Sequence, residues 1–166
     1  MKISLIAAMD KNNAIGNKNK LLWHLPKDLK WMKEKTMNHV VVMGRNCYES
    51  IITYTNGKPL PNRTNVVLSS KDPSKFNSGF IVLKNINEVL DTYVNEKKIF
   101  VLGGAQVYKS FLPIADELII THVHSEFEAD AFFPQIDYSK FNKIFEKHDE
   151  ENGLSFTFAI YQKNDI

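Results

Sequence analysis

Short runs rich in valine and isoleucine alternate with amphipathic helical patterns through most of this chain. That alternation restricts the fold more than any other feature. Ile3–Met9, Val40–Met43, Asn65–Ser69, Phe80–Leu83 and Lys98–Leu102 read as strands, and Leu25–Lys35, Asn46–Ile52, Ile86–Asn95 and Ala105–Leu112 read as helices between them. Near-continuous apolar runs are typical of strands buried on both faces, and strands that alternate with helices pair in parallel. The C-terminal part differs. Glu117–His124, Phe141–His148 and Ser155–Gln162 follow one another with little helix between them, which predicts antiparallel pairing. The expected fold is α/β: three αβα layers around a mostly parallel sheet of roughly eight strands, with an antiparallel C-terminal edge.

At 166 residues, 43% hydrophobic and 24% charged, the chain suits one domain with a core that needs no covalent staples. The single cysteine, Cys47, excludes an intrachain disulfide and any cysteine metal motif. A net charge of +2 without a basic block argues against nucleic acid as a partner. The apolar run at the N-terminus is too short to span a membrane and gives way to Asp10 and Lys11, so neither membrane nor signal peptide is expected. The cytoplasm is the expected location. Lysine supplies all of the 21 basic residues except Arg45 and Arg63. Arginine is hard to replace where a planar fork grips phosphate or carboxylate, so these two stand out.

Asp28 stands where an apolar residue is expected. Positions 25, 28, 29 and 32 form one helical stripe, and Leu25, Leu29 and Met32 are apolar. Pro26 suits a first helical turn. A carboxylate on that stripe is costly unless something pairs with it, and no cation shares the stripe. Either the acid lies near the helix start and gains from the macrodipole, or another segment or a ligand satisfies it.

Ligands of open parallel sheets bind outside the carboxyl ends of the strands. Three such ends carry suggestive residues: Gly44-Arg45, Ser69-Ser70-Lys71 and Gly103-Gly104. Each is ordinary alone; together on one edge they suit a ligand with several phosphates. The glycine pair does not form the GxGxxG fingerprint, and no P-loop or GxSxG motif occurs. His122 and His124 alternate on a strand as a candidate metal pair, but no third ligand is identifiable and no metal is expected. The polar segment Asp10–Leu22 reads as a mobile flap, and Tyr54–Asn62 as a turn-rich connector.

Taken in order, these pieces resemble the dihydrofolate reductase family over nearly the whole chain. The resemblance rests on Ile3–Ala8, Ile15-Gly16, Leu22–Leu29, Met43-Gly44-Arg45, Glu49-Ser50-Ile51, Pro59–Asn65, Leu68-Ser69-Ser70, Gly103–Tyr108, Leu112-Pro113 and Thr121-His122. It implies a single domain over 1–166, with an adenosine-binding subdomain at roughly 39–96, and reduction of 7,8-dihydrofolate by NADPH. By resemblance, Asp28 anchors the pterin and supports its protonation, with Trp23 and Thr121 holding a water network. Ile6, Ala8, Met32, Ile51 and Leu60 line the pterin and benzoyl pocket, and the Leu102 backbone faces the pterin edge. Arg63 grips the substrate's glutamate carboxylate. Arg45, Ser69 and Ser70 contact the adenosine end with its 2′-phosphate. Gly44, Asn46, Cys47 and Leu68 join them on the cofactor side. Gly103, Gly104, Ala105, Gln106 and Val107 carry the pyrophosphate–nicotinamide stretch, and Ala8, Ile15, Gly16 and Thr121 lie near the nicotinamide. The implied partners are dihydrofolate and antifolate inhibitors, and the implied state is a monomer.

The chain departs from the family pattern at several positions. Met32 replaces an aromatic ring, which predicts reduced sensitivity to trimethoprim-type antifolates. Leu22 replaces a proline, Cys47 a threonine and Ala105 a third glycine, and the connector over Ile52–Lys58 is longer. Two alternatives stay open at this point. One is a related reductase of another pterin-like or ribosylamino-pyrimidine substrate; the other is a binding protein that has lost turnover.

Overall fold

The computed structural model describes residues 1–165. Each run expected as a strand is one. The elements in order are β1 (Lys2–Met9), β2 (Ala14–Gly16), α1 (Pro26–Thr36), β3 (Val40–Met43), α2 (Arg45–Tyr54), β4 (Thr64–Leu68), β5 (Phe80–Leu83), α3 (Ile86–Thr92), β6 (Lys98–Gly103), α4 (Ala105–Phe111), β7 (Glu117–Val123), β8 (Ala131–Phe132), β9 (Phe141–Glu151) and β10 (Leu154–Lys163). The main sheet has the order β5-β4-β3-β6-β1-β7-β10-β9. All pairings from β5 to β7 are parallel, while β10 runs antiparallel to both β7 and β9.

Both faces of the sheet are buried, and side-chain alternation sorts the residues between them. Ile3, Leu5, Val40, Val42, Val66, Ile99, Val101, Leu118 and Ile120 join one cluster, against which α3 and α4 pack. Ile6, Val41, Met43, Val67, Phe100 and Ile119 join the other, covered by Trp31 and Met32 of α1 and by Tyr48, Ile51 and Ile52 of α2. This is why the strands read as continuous apolar runs.

Some expectations need correction. The helix expected to reach Asn95 stops at Thr92, where the Tyr93 N–H closes the last turn on Val89. Strand β9 continues beyond His148 to Glu151. Asn152 and Gly153, with φ of 53° and 76°, then form the two-residue turn of a β9–β10 hairpin. The polar flap is tied at two places. Its β2 pairs with β8, and Lys18 N donates to Asp130 Oδ2 at 3.0 Å. Within it, Asp10 is 3% exposed and accepts three backbone N–H groups: Asn12 and Ala14 on Oδ1 at 2.8 and 2.9 Å, and Phe127 on Oδ2 at 2.9 Å.

Candidate active site

The carboxyl ends of β4, β3, β6 and β1 lie next to one another because these strands are parallel neighbours. Gly44 opens α2 and Gly104 opens α4. The two helix starts adjoin, with Gly44 N donating to Gly103 O at 2.8 Å. Packing demands the glycine at 44: a Cβ there would meet Val107 Cγ2 at 2.7 Å. At Gly104 a Cβ would meet nothing within 4 Å, so that backbone faces open space. Ser69 and Ser70 follow β4 on the same edge, and Ser69 Oγ accepts the Lys71 N–H at 3.1 Å. The three ends singled out in the sequence therefore come from adjacent strands. Two helix N-termini among them present free N–H groups and partial positive charge.

Arg45 begins α2. Its Nε donates to Glu49 Oε1 at 2.9 Å, its guanidinium stands 5.2 Å over the Phe76 ring, and Nη1 is buried without a hydrogen-bond partner. Cys47 donates weakly to Leu102 O at 3.7 Å. Burial pushes its thiol up to about 12, so it stays protonated and inert. Leu68, Ile15 and Val107 pack against the cluster beneath α3 and α4, while Asn46 and Gln106 are exposed.

On the other face, Asp28 sits in the first turn of α1. Thr121, buried in β7, donates from Oγ1 to Asp28 Oδ1 at 2.6 Å. Burial raises the Asp28 carboxyl from 3.8 to about 6, and the Thr121 hydroxyl works against that rise. Among the described residues no cation forms a salt bridge with Asp28. Thr121 pairs with Ala8 of β1 and with Phe158 of β10. Ile6, two residues before Ala8, shares its face. Ile6 and Leu60 are buried, with Met32, Ile51 and Leu102 half-buried in the same cluster. These residues form one apolar cluster between α1, α2 and the sheet, and Asp28 lies in the first turn of α1 on that side.

Arg63 lies on that side through Thr36, the last residue of α1. Arg63 Nη1 donates to Thr36 Oγ1 at 3.2 Å, and Nε donates to Pro61 O at 3.0 Å. Thr36 Oγ1 in turn donates to Met32 O at 2.8 Å. No carboxylate pairs with Arg63 among the described residues. Trp23 packs on Phe127, ring centroids 5.3 Å apart, and on the cluster of Leu25, Val123, Phe156 and Phe158. It makes no hydrogen bond to Asp28 among the described residues.

The candidate metal pair has other partners. His122 Nε2 meets the Tyr161 hydroxyl at 2.9 Å and His124 Nε2 meets Thr157 Oγ1 at 2.7 Å. Side-chain alternation puts both on the face away from Asp28.

Sequence reasoning passed over Asn65, Tyr108 and Asp10. Buried Asn65 shapes the connector before Arg63, exchanging bonds with both Leu60 N and Leu60 O at 3.0 Å. The Tyr108 hydroxyl lies 2.6 Å from the carbonyl oxygens of both Ile6 and Leu102 and can donate to one at a time. Its place on the inner face of α4, with Phe111 three residues on, was the available signal.

The fold and the site first define a class. A parallel sheet that presents two glycine-opened helices at one edge, and an acid without a cationic partner beside the apolar cluster on its other face, has the layout of a nucleotide-dependent α/β oxidoreductase without the GxGxxG fingerprint. The chain belongs to the dihydrofolate reductase family, whose profile matches residues 2–163. The dihydrofolate reductase of Bacillus subtilis is 42% identical over 164 residues, covering 97% of this chain and 94% of that protein. The Haemophilus influenzae enzyme is 37% identical over 164 residues, covering 96% and 98%. A solved structure of the Enterococcus faecalis enzyme, complexed with NADP(H) and RAB-propyl, matches with a TM-score of 0.87 at 37% identity, covering 99% of this chain and 97% of that one.

Proposed function

We propose that this chain reduces 7,8-dihydrofolate to 5,6,7,8-tetrahydrofolate with NADPH, and so feeds thymidylate, purine and amino-acid synthesis. The observation that carries the reading is Asp28. Its carboxyl is half-buried, bound among the described residues only by the Thr121 hydroxyl, and raised to about 6. A pterin offers a ring N–H beside an exocyclic amino group, and one carboxylate accepts both.

The residues present fit the cofactor. Arg45 has a buried Nη1 without a partner, and the Gly104 backbone faces open space beside the start of α2. Arg45, Ser69 and Ser70 would hold the phosphate at the adenosine end, with Gly44, Asn46, Cys47 and Leu68 around them. Gly103, Gly104, Ala105, Gln106 and Val107 would hold the pyrophosphate, and Ala8, Ile15, Gly16 and Thr121 would flank the nicotinamide. The adenosine-binding part is the segment at roughly 39–96. NADPH supplies a hydride when bound.

The chain's own residues do the remainder. Ile6, Ala8, Met32, Ile51 and Leu60 exclude water from the ring, and the Leu102 carbonyl offers an acceptor at its edge. Arg63, free of any carboxylate here, holds the glutamate end. Asp28, its carboxyl raised to about 6, takes up a proton and passes it to the pterin nitrogen through a water steadied by Thr121 and Trp23. Alignment and desolvation provide the rest of the acceleration. The chain acts as a cytoplasmic monomer. Among the described residues no helix is long and apolar enough to cross a membrane.

Loss of NADPH absorbance in the presence of dihydrofolate tests the reading directly. Rapid loss with wild-type protein, and loss at least about a hundredfold slower with Asp28→Asn, is the expected result. Binding of both ligands with no loss would point instead to another pterin-like substrate or to a protein that only binds.

A further inference from the structure

The first turn of α1 has one backbone N–H with no partner inside the helix. Pro26 has none to offer. Asp28 N and Leu29 N both donate to Leu25 O, at 2.9 and 3.0 Å. Leu25, at the N-cap, provides no side-chain acceptor. The Lys27 N–H is left, and Glu151 takes it: Lys27 N donates to Glu151 Oε1 at 2.9 Å. The same hairpin grips Lys27 further. Lys27 Nζ pairs with Asp149 Oδ1 at 2.9 Å and donates to Glu150 O at 3.3 Å. In the hairpin turn, Asn152 Nδ2 donates to His24 O at 3.0 Å.

These contacts close a ring of structure around Asp28. One anchor of the carboxyl is Thr121 in β7. That strand pairs with β10 through Thr121 and Phe158, and β10 pairs with β9 through Leu154 and Glu151. Both anchors of the first turn of α1 therefore belong to the antiparallel edge of the sheet. Resting on the reading of Asp28 given above, we infer that Glu151 is a positioning residue: by capping the Lys27 N–H it fixes where the Asp28 carboxyl meets the substrate. The cap is exposed to water, so its loss costs no more folding stability than an ordinary helix N-cap. Alignment at a reacting centre is far less forgiving, since a shift of about 1 Å can cost about a hundredfold in rate.

The test compares Glu151→Ala and Glu151→Gln in the full chain by steady-state kinetics. The Ala variant should raise the KM for dihydrofolate and lower kcat, with a combined fall in kcat/KM of about tenfold. Its KM for NADPH should not move. The Gln variant keeps an oxygen acceptor and should restore most of the loss. Wild-type constants in the Ala variant, equal shifts in both KM values, or a Gln variant no better than Ala would each overturn the inference. Wild-type protein that oxidises no NADPH with dihydrofolate would sink the proposed function instead. Amide exchange at Lys27 and Asp28 in the same proteins would then decide the matter alone: faster exchange in Glu151→Ala supports the clamp, and unchanged exchange removes it.

Discussion

The root of the flap and the first turn of α1 each hold a carboxylate withdrawn from water, and they treat it in opposite ways. Asp10 receives three backbone N–H groups, from Asn12, Ala14 and Phe127. Asp28 receives one hydroxyl, from Thr121, and its carboxyl rises to about 6. An acid saturated with N–H donors ties chain segments together. An acid left with free lone pairs in a largely apolar setting is poised to gain a proton or a donor from elsewhere. The difference separates a structural carboxylate from a chemical one, although the two lie only 18 positions apart in the chain.

The widest separation between the two should come from turnover. Asp28→Asn removes the proton carrier and should slow turnover by about two to four orders of magnitude, while Asp10→Asn slows it far less. Stability should invert the order. Asp10→Ala strands three N–H groups and should destabilise the fold by about 2–4 kcal/mol in urea unfolding. For Asp28→Asn the sign follows from proton linkage. Between pH 3.8 and about 6, folded protein keeps a proton at Asp28 that the unfolded chain has lost. Stability from this group therefore falls as pH rises through that window, and the deficit is constant above it. Asp28→Asn should be more stable than wild type above the window by about 1–3 kcal/mol, toward the lower end because the carboxyl keeps some contact with water. The advantage should vanish below pH 3.8, and a difference that does not change with pH would refute the linkage.

Finer changes sharpen the contrast. Thr121→Val removes the one bond that lowers the Asp28 carboxyl, so an NMR titration of that group should move further up. A midpoint that stayed put would mean the hydroxyl serves only packing. Met32 is a flexible thioether on the cleft wall, and Met32→Phe should tighten diaminopyrimidine inhibitors such as trimethoprim by about 1 kcal/mol. Equal or weaker inhibition would leave the methionine without a role in inhibitor sensitivity.

Much of the architecture was legible because both faces of the sheet are buried. Val40–Met43 and Lys98–Gly103 advertise themselves as strands whatever lies beside them. The pairing β2–β8 does not, since Ala14–Gly16 and Ala131–Phe132 are too short to carry a periodicity. Asp28 was conspicuous from its stripe alone, but its partner Thr121 lies 93 positions away, and only resemblance joined the two. Asp10 and Glu151 were invisible for the same reason. Asp10 reaches Phe127 across 117 positions, beside its two local N–H partners, and Glu151 reaches Lys27 across 124, and an N–H leaves no trace in residue type. For His122 and His124, alternation told that the side chains share a face but not that the Tyr161 and Thr157 hydroxyls meet them there.

Strand β1 lies between β6 and β7 in the middle of the sheet. It is also made before either of the strands it pairs with. Its partners begin at Lys98 and Glu117, so at about 5–20 residues per second β1 waits for roughly 5–20 s before any neighbour exists. During synthesis its apolar residues have nothing to pair with, and the cleft that Ile6 and Ala8 line cannot form until the second half of the chain emerges. An arrest or truncation before β6 would thus release not a weakened enzyme but an exposed hydrophobic strand, a substrate for chaperones and proteases.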